Sequence, residues 1–188
     1  MSKIKIDQRF SPYQMPCIII GTNVDEKPNF MLCTWISRVN RNPPIWMASI
    51  NKEHYTMKGI KENKIFSINF PSADLIIKVD YVGITSGREI DKSLLFDIFY
   101  GDTEVPMIKD CTLTIELRVK NLIELSDHIM VLGTAINYFI GEKYQTNGVP
   151  DIKKMNPIIY TGAEKKPTYW SIGEKLGAAF KLGKEYKN

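Results

Sequence analysis

Metal-ligating side chains are scarce in this sequence. Only two histidines, His54 and His128, and three cysteines, Cys17, Cys33 and Cys111, occur among 188 residues. There is no CxxC and no paired Cys/His spacing, so no metal site is expected. An odd set of widely spaced cysteines in apolar runs also argues against a disulfide framework and for buried reduced thiols in a cytoplasmic protein. Charge of one sign is not in large excess: 25 Lys+Arg against 21 Asp+Glu leaves +4, spread along the chain. That distribution excludes a nucleic-acid-binding stripe but leaves room for a small anionic ligand. No uncharged apolar run approaches the roughly 20 residues that a bilayer demands. The stretch Met1 to Asp7 lacks the apolar core of a signal peptide, so no membrane partner is expected.

Familiar catalytic motifs are missing as well. The chain has no GxGxxG after a strand, no GxxxxGK[ST], no GxSxG and no HExxH. Two lone histidines without a matched nucleophile do not make a hydrolytic triad. An enzyme with this inventory would draw its reactive atoms from a bound cofactor.

What is present has ordinary globular composition, 44% hydrophobic and 24% charged, and fits one domain over residues 1–188. Short apolar, β-branched and aromatic runs dominate. Pro16 to Gly21 reads as a strand and Asp25 to Asn29 as a hairpin turn. Phe30 to Ile36 and Ile45 to Ile50 read as strands separated by Pro43-Pro44. Asn51 to Asn63 changes period towards a short helix. Ile65 to Phe70 returns to strand and stops at Pro71, after which Ser72 opens a helix to about Tyr81. From Cys111 to Lys120 apolar and polar residues alternate without exception, with Leu122 to Leu125 as an extension past a bulge at Asn121. Ile129 to Ile140 pairs back as a hairpin in which Gly133 marks a bulge or a close backbone approach. Gly141 to Asn156 reads as an excursion loop, and Ile158 to Tyr160 as a short strand. Six or more short strands with few helices predict a mainly β fold, a closed antiparallel barrel decorated by helices.

Three segments carry candidate chemistry. In the first, Asn29, Met31, Leu32, Cys33, Thr34 and Trp35 lie on an extended strand whose backbone N–H and C=O groups suit a flat polar heterocycle, with the indole against its ring; core filling explains the same residues. In the second, Ser49, Asn51, Lys52, His54, Tyr55 and Thr56 lie at a strand-to-helix junction where free N–H groups and the helix dipole favour a phosphate. Helix capping by Ser49 or Asn51 is the plainer alternative. The third is the donor-rich loop from Val82 to Lys92. There Ser86 and Gly87 would let backbone amides approach a ligand, and Lys92 or Arg88 would add positive charge; a surface loop with Asp91 as a helix cap explains it equally. His128, at the hairpin tip, either contacts a substrate or satisfies the turn beside Asp127.

In order and residue identity these segments resemble the flavin reductase-like, FMN-binding split-barrel family. The matching stretches are Pro16 to Gly21, Lys27-Pro28-Asn29-Phe30-Met31 with Trp35, and Pro43-Pro44. His54-Tyr55-Thr56 with Ile60, and Phe66 to Pro71, follow. Gly83, Ser86-Gly87-Arg88, Asp91-Lys92, and Asp127-His128 with Gly133 complete the set. The resemblance implies a six-stranded antiparallel split barrel with peripheral helices, assembled as a homodimer with FMN near the interface. It implies isoalloxazine along Asn29 to Trp35, and phosphate at Ser49, Lys52, His54, Tyr55 and Thr56. Ser86, Gly87 and Lys92 would border the ribityl-phosphate region or the opposite wall. It further implies hydride transfer from NAD(P)H to flavin and on to small-molecule or protein acceptors, with His128 orienting nicotinamide or acceptor, or alternatively a non-enzymatic electron carrier. Position 32 is Leu where the family often has a small hydroxyl residue, so a backbone contact must serve there. Leu117 stands where a cysteine is frequent, which removes any redox role at that place.

Overall fold

A computed structural model describes residues 2–5, 11–162 and 167–186. Met1, Ile6 and Asp7, part of the stretch read for a signal peptide, lie outside them. In chain order the first half comprises β1 (Ser11–Pro16), β2 (Ile18–Val24), β3 (Lys27–Cys33), β4 (Ile36–Asn40), β5 (Ile45–Asn51), α1 (Tyr55–Asn63), β6 (Ile65–Phe70) and α2 (Ile76–Ile84). The second half comprises β7 (Ile98–Phe99), β8 (Met107–Ile108), β9 (Leu113–Glu124), β10 (His128–Ile140), β11 (Gln145–Thr146), β12 (Val149–Pro150), α3 (Ile152–Met155), β13 (Ile158–Gly162) and β14 (Thr168–Ser171). No helix among the described residues is long and apolar enough to cross a membrane.

The main sheet runs β3-β2-β6-β9-β10-β5-β4, seven strands rather than the expected six. The extra one comes from the stretch Phe30 to Ile36, read as continuous. It breaks at Thr34 and Trp35, and β4 begins beyond them on the far edge of the sheet. The two edge strands are thus joined by only two residues, which reach about 10 Å at full extension. The sheet must therefore roll until its edges nearly meet at that end, and Ser49 N–H of β5 donates to Trp35 O at 2.9 Å, tying the two-residue link to the β4-β5 side. A barrel pinned at one end and open at the other follows from the connection length.

Strand alternation fills the interior. Ile18 and Ile20, Met31 and Cys33, Ile115 and Leu117, and Ile129 and Val131 point inward, and Met57 and Ile60 of α1 close one end. β2 is buried on both faces: Cys17 and Ile19 look outward into a second cluster with Phe30, Val79 and Val82, formed where α2 and the 85–111 segment cover the barrel. A small sheet, β1-β13-β14, borders this cluster; residues 11–15 had not been read as strand. The expected bulge at Asn121 falls one residue earlier, since Leu132 faces Asn121 while Gly133 faces Val119 and Lys120 is the extra residue. A Cβ at Gly133 would stand 2.6 Å from the Phe66 ring, so the glycine marks a close approach across the barrel. The excursion loop contains the β11-β12 hairpin, turning at Asn147-Gly148 with positive φ, and the one-turn α3.

Candidate functional site

Edge strand β3, the start of α1 and the loop after α2 enclose two adjoining hollows. The inner one, about 450 Å³, is bounded by Met31 and Leu32 of β3, His54, Tyr55 and Thr56 of the α1 start, and Thr85 to Arg88 with Lys92. The outer one, about 780 Å³, runs from the β2-β3 turn past Asn29 to the Glu89–Asp91 stretch. Tyr55, Gly87, Arg88 and Lys92 line both.

Two helix ends of opposite polarity point here. At the α1 N-terminus, His54 occupies the cap position without a side-chain cap bond, and the first turn carries no acidic residue. His54 N–H donates to Asn51 O and Met57 N–H to His54 O, so among the described hydrogen bonds the N–H groups of Tyr55 and Thr56 are left at the positive dipole end. The C-terminal end of α2 would oppose this with bare carbonyls, but Lys92 intervenes. Its buried Nζ donates to Val82 O at 2.8 Å and Thr85 O at 2.7 Å. An ammonium has three donors, so one remains beyond these two carbonyls. Burial pushes the Lys92 pKa down to about 8, which still leaves it mostly charged at neutral pH. The hollow therefore meets positive charge from both helix ends, a setting for an anion.

The remaining walls are tightly fitted. Asn29, buried, donates from Nδ2 to Thr56 Oγ1 at 2.7 Å, tying β3 to α1. Gly87 packs so closely on β3 that a Cβ would collide with Asn29 Oδ1. Arg88 lies over the Tyr55 ring at 5.5 Å and donates from Nη2 to Glu53 O at 3.1 Å. Tyr55 Oη donates to Asp25 Oδ2 at 3.0 Å, and Lys58 also bonds Asp25. Those bonds hold the hairpin residue Asp25 at φ 50° and keep its carboxyl below the usual range. His54 is held below the ordinary imidazole value first by partial desolvation, then by the charges of His128, Lys92 and Arg88 around it.

The expected contacts divide accordingly. Asn29, Met31, Leu32, His54, Tyr55, Thr56, Ser86, Gly87 and Lys92 come together around the two hollows. Met31 and Cys33 turn their side chains largely into the barrel core, so the β3 contribution there is its free backbone edge. Thr34 and Trp35 form the seam, and Trp35 stacks on His128 with centroids 4.9 Å apart and planes 32° apart. His128 also meets Asp127, Nδ1 to Oδ1 at 3.0 Å. Ser49 and Asn51 lie on β5 beside this stack, where Asn51 Oδ1 accepts from Glu53 N–H at 2.9 Å and His128 pairs with Asn51 in register. Asn51 thus shapes the turn into α1, the plainer of its two readings. Lys52 lies outside both hollows and reaches Glu124 at 3.5 Å. Arg88 was weighed only as an alternative to Lys92, although it walls both hollows. Asp25 and Lys27 lie in the turn from Asp25 to Asn29, and Lys27 also opens the family-like stretch Lys27 to Met31, but neither carries a ligand role in the sequence reading.

The donor set fits a phosphate, and the free edge of β3 beside the Trp35-His128 pair fits a planar heterocycle with polar edges. Comparison with known proteins agrees in shape. A family model described as the flavin reductase like domain matches residues 10–167. Flavoredoxin from Methanosarcina acetivorans superposes with a TM-score of 0.94 at 44% identity, covering 98% of each chain. Flavoredoxin of Desulfovibrio vulgaris gives 0.88 at 31% identity over 97% of this chain and 100% of that one. The FMN-binding protein from Thermus thermophilus gives 0.80 at 23% identity over 95% and 97%, a likeness of fold.

Proposed function

The chain belongs to the flavin reductase like family, and from that premise we propose that it binds FMN in the inner hollow and acts as an oxidoreductase. Electrons would pass from NAD(P)H to the flavin and on to free flavin, ferric iron or a protein acceptor. The observation that carries this reading is the convergence of the uncapped α1 N-terminus, the third donor of Lys92 and the free edge of β3 on one hollow. FMN, when bound, supplies the hydride-accepting ring. Thr56, the first-turn N–H groups, Lys92 and Arg88 would hold its phosphate where the two hollows meet. The backbone of Met31 and Leu32 would meet the polar edge of the ring, with a hydroxyl contact absent at Leu32. Hydride transfer asks for stacking distance rather than a dedicated acid or base, in keeping with the lack of a triad.

His128, beside the hollows rather than in their lining, would orient the nicotinamide or the acceptor. Its ring is held by Trp35 on one face and by Asp127 at Nδ1. Trp35 and Val39 remain exposed along the β4 side of the seam, which supports a second copy covering this edge as a homodimer.

A test is direct. FMN added to flavin-free protein should bind with quenched flavin fluorescence, and anaerobic NAD(P)H should bleach the bound flavin's absorbance. The variant His128→Ala should keep FMN and slow the bleaching roughly tenfold or more, the scale of one lost orienting contact. Failure to take up FMN overturns the reading, and unchanged hydride-transfer kinetics remove His128 from it. The flavoredoxin likeness at 44% and 31% identity supports a second reading, an electron carrier without nicotinamide activity. Slow NAD(P)H bleaching alongside fast exchange with a reduced electron donor would select it.

A further inference from the structure

We infer that the cleft between the β7-β8 pair and the joined ends of β9 and β10 binds a small uncharged phenol, at a place separate from the flavin hollows. The cleft opens to about 700 Å³, within the range of small-molecule sites. It shares no lining residue with either hollow, so the inference stands apart from the function proposed above.

The floor belongs to a polar stripe buried under the 97–111 segment. Ser67, Asn69, Thr112, Thr114 and Glu116 are each at most 2% exposed. Four of them have partners. Ser67 Oγ donates to Pro106 O at 2.6 Å, and Asn69 Oδ1 accepts from Ile108 N–H at 2.8 Å. Thr112 Oγ1 donates to Phe70 O at 2.9 Å, and Glu116 Oε1 accepts from Thr103 N–H at 2.6 Å. Thr114 Oγ1 has no hydrogen-bond partner among the described residues, and Thr114 is the member of the stripe that borders the cleft. A buried hydroxyl left unpaired is costly. With no bond to break, it can turn about χ1 to meet a polar group that enters.

The rest of the lining sets what carries that group. Phe99 and Phe139 meet edge to face, with centroids 5.5 Å apart and planes at 87°, and with Ile98 and Ile140 they present half-buried apolar surface to the cleft. A flat ring extends such an aromatic pair. The other buried polar neighbour is Cys111, whose thiol is held neutral first by burial and then by the charge of Asp110. A hydroxyl and a neutral thiol offer no counter-charge, so a charged head group at depth would be desolvated without compensation. Lys109 lies in the lining but is exposed; an ammonium at the mouth favours the face of an electron-rich ring and repels cations. A phenol meets each condition. Its ring suits the aromatic wall, its O–H donates to or accepts from Thr114, and it stays uncharged at neutral pH.

The test titrates the full chain, with FMN added, with phenol and separately with toluene, following backbone amides by NMR. Phenol should shift amides within 98–99, 109–114 and 139–141 to saturation and leave 85–92 unmoved. Toluene matches phenol in size without the hydroxyl. Thr114→Val, which exchanges the hydroxyl for a methyl, should lower the phenol-to-toluene affinity ratio by roughly fivefold, the scale of one neutral hydrogen bond, and leave the melting temperature unchanged. Thr114→Ser keeps a hydroxyl and should keep the wild-type ratio. Benzoate should bind more weakly than phenol. The inference is overturned if phenol moves no amide of the cleft or moves those of 85–92 instead, or if the ratio survives intact in Thr114→Val. Benzoate binding more tightly than phenol, and losing that advantage in Lys109→Gln, overturns the uncharged class. A Thr114→Val chain that fails to fold or melts well below the wild type shows the hydroxyl to be held structurally by solvent, which overturns the inference as well.

Discussion

The strand-to-helix junction Ser49–Thr56 and the loop Val82–Lys92 both reach the same end of the barrel, and they hold their lysines in opposite ways. Lys52 stands beside a helix N-terminus that is already positive, and its ammonium leaves for Glu124 at 3.5 Å with 31% of the side chain exposed. Lys92 is 4% exposed and anchored on Val82 O and Thr85 O, the last carbonyls of α2 and its exit. A buried ammonium is retained in the hollow where a negative helix end compensates its desolvation, whereas Arg88 is exposed and needs no such partner. The loop thus supplies the buried charge, and the junction supplies N–H donors. Neither segment alone makes an anion site.

The comparison breaks most completely at the contact between the two segments. Gly87 leaves no room for a Cβ against Asn29 Oδ1, and Asn29 is the residue that bonds Thr56 across the hollow. Gly87→Ala must push the loop outward or dislodge Asn29 from Thr56. A loss in FMN affinity of about a hundredfold is expected, corresponding to two or more displaced polar contacts, with the barrel still folded. Isothermal titration beside a thermal melt checks it. An alanine variant with normal FMN affinity would show that the loop does not set the site.

Much of this was legible in the chain and some was not. The unbroken alternation of apolar and polar residues from Cys111 to Lys120 marks β9, which starts two residues later at Leu113, and Ile65 to Phe70 matches β6 to the residue; alternation of residue type is a local pattern, whereas the burial of Ser67, Asn69, Thr114 and Glu116 on the second face is not. The break at Thr34 and Trp35 has no local signal, neither glycine nor proline. It arises because the chain must leave one sheet edge and join the other, which only the closed sheet determines. Lys52 stands between Asn51 and Glu53 and Lys92 between Asp91 and Ser93, and nothing nearby in sequence says which turns inward. That choice depends on where α2 ends, and α2 ends at Ile84, later than the expected Tyr81. The position of Arg88 is equally non-local, since its partners Tyr55 and Glu53 come from the other segment.

Substituting the two lysines sharpens the contrast. Lys92→Met keeps the length of the stem but leaves two carbonyls without their donor. A destabilisation of about 1–3 kcal/mol is expected from the lost buried bonds, together with roughly tenfold weaker FMN binding from the missing charge. Lys52→Met removes one partly exposed ion pair and should cost about 0–1 kcal/mol, with FMN affinity nearly unchanged. Riboflavin, which has no phosphate, should bind the wild type and Lys52→Met alike. Denaturant melts and flavin titrations separate the two, and equal losses for both variants would erase the distinction between the segments.

The smallest expected effect is a pH dependence that only the loop should impose. The Lys92 ammonium titrates at about 8 in the folded protein, against about 10.4 when unfolded. Between these values the unfolded chain binds more protons, so stability from this group rises with pH across that window and is flat below it. Ligand binding runs the other way. The FMN phosphate is a dianion well above its second pKa of about 6, and it favours the charged ammonium, so binding takes up a proton once free Lys92 has lost it. The FMN-to-riboflavin affinity ratio should hold from pH 7 to 8 and then fall by up to about tenfold per pH unit above 8. His54, held below the ordinary imidazole value by desolvation and the neighbouring charges, gains no charge over this range, so it does not produce this slope. In Lys92→Met the ratio should be flat over the same range, whereas Lys52→Met should keep the wild-type decline; a decline surviving in Lys92→Met would move the titrating charge elsewhere.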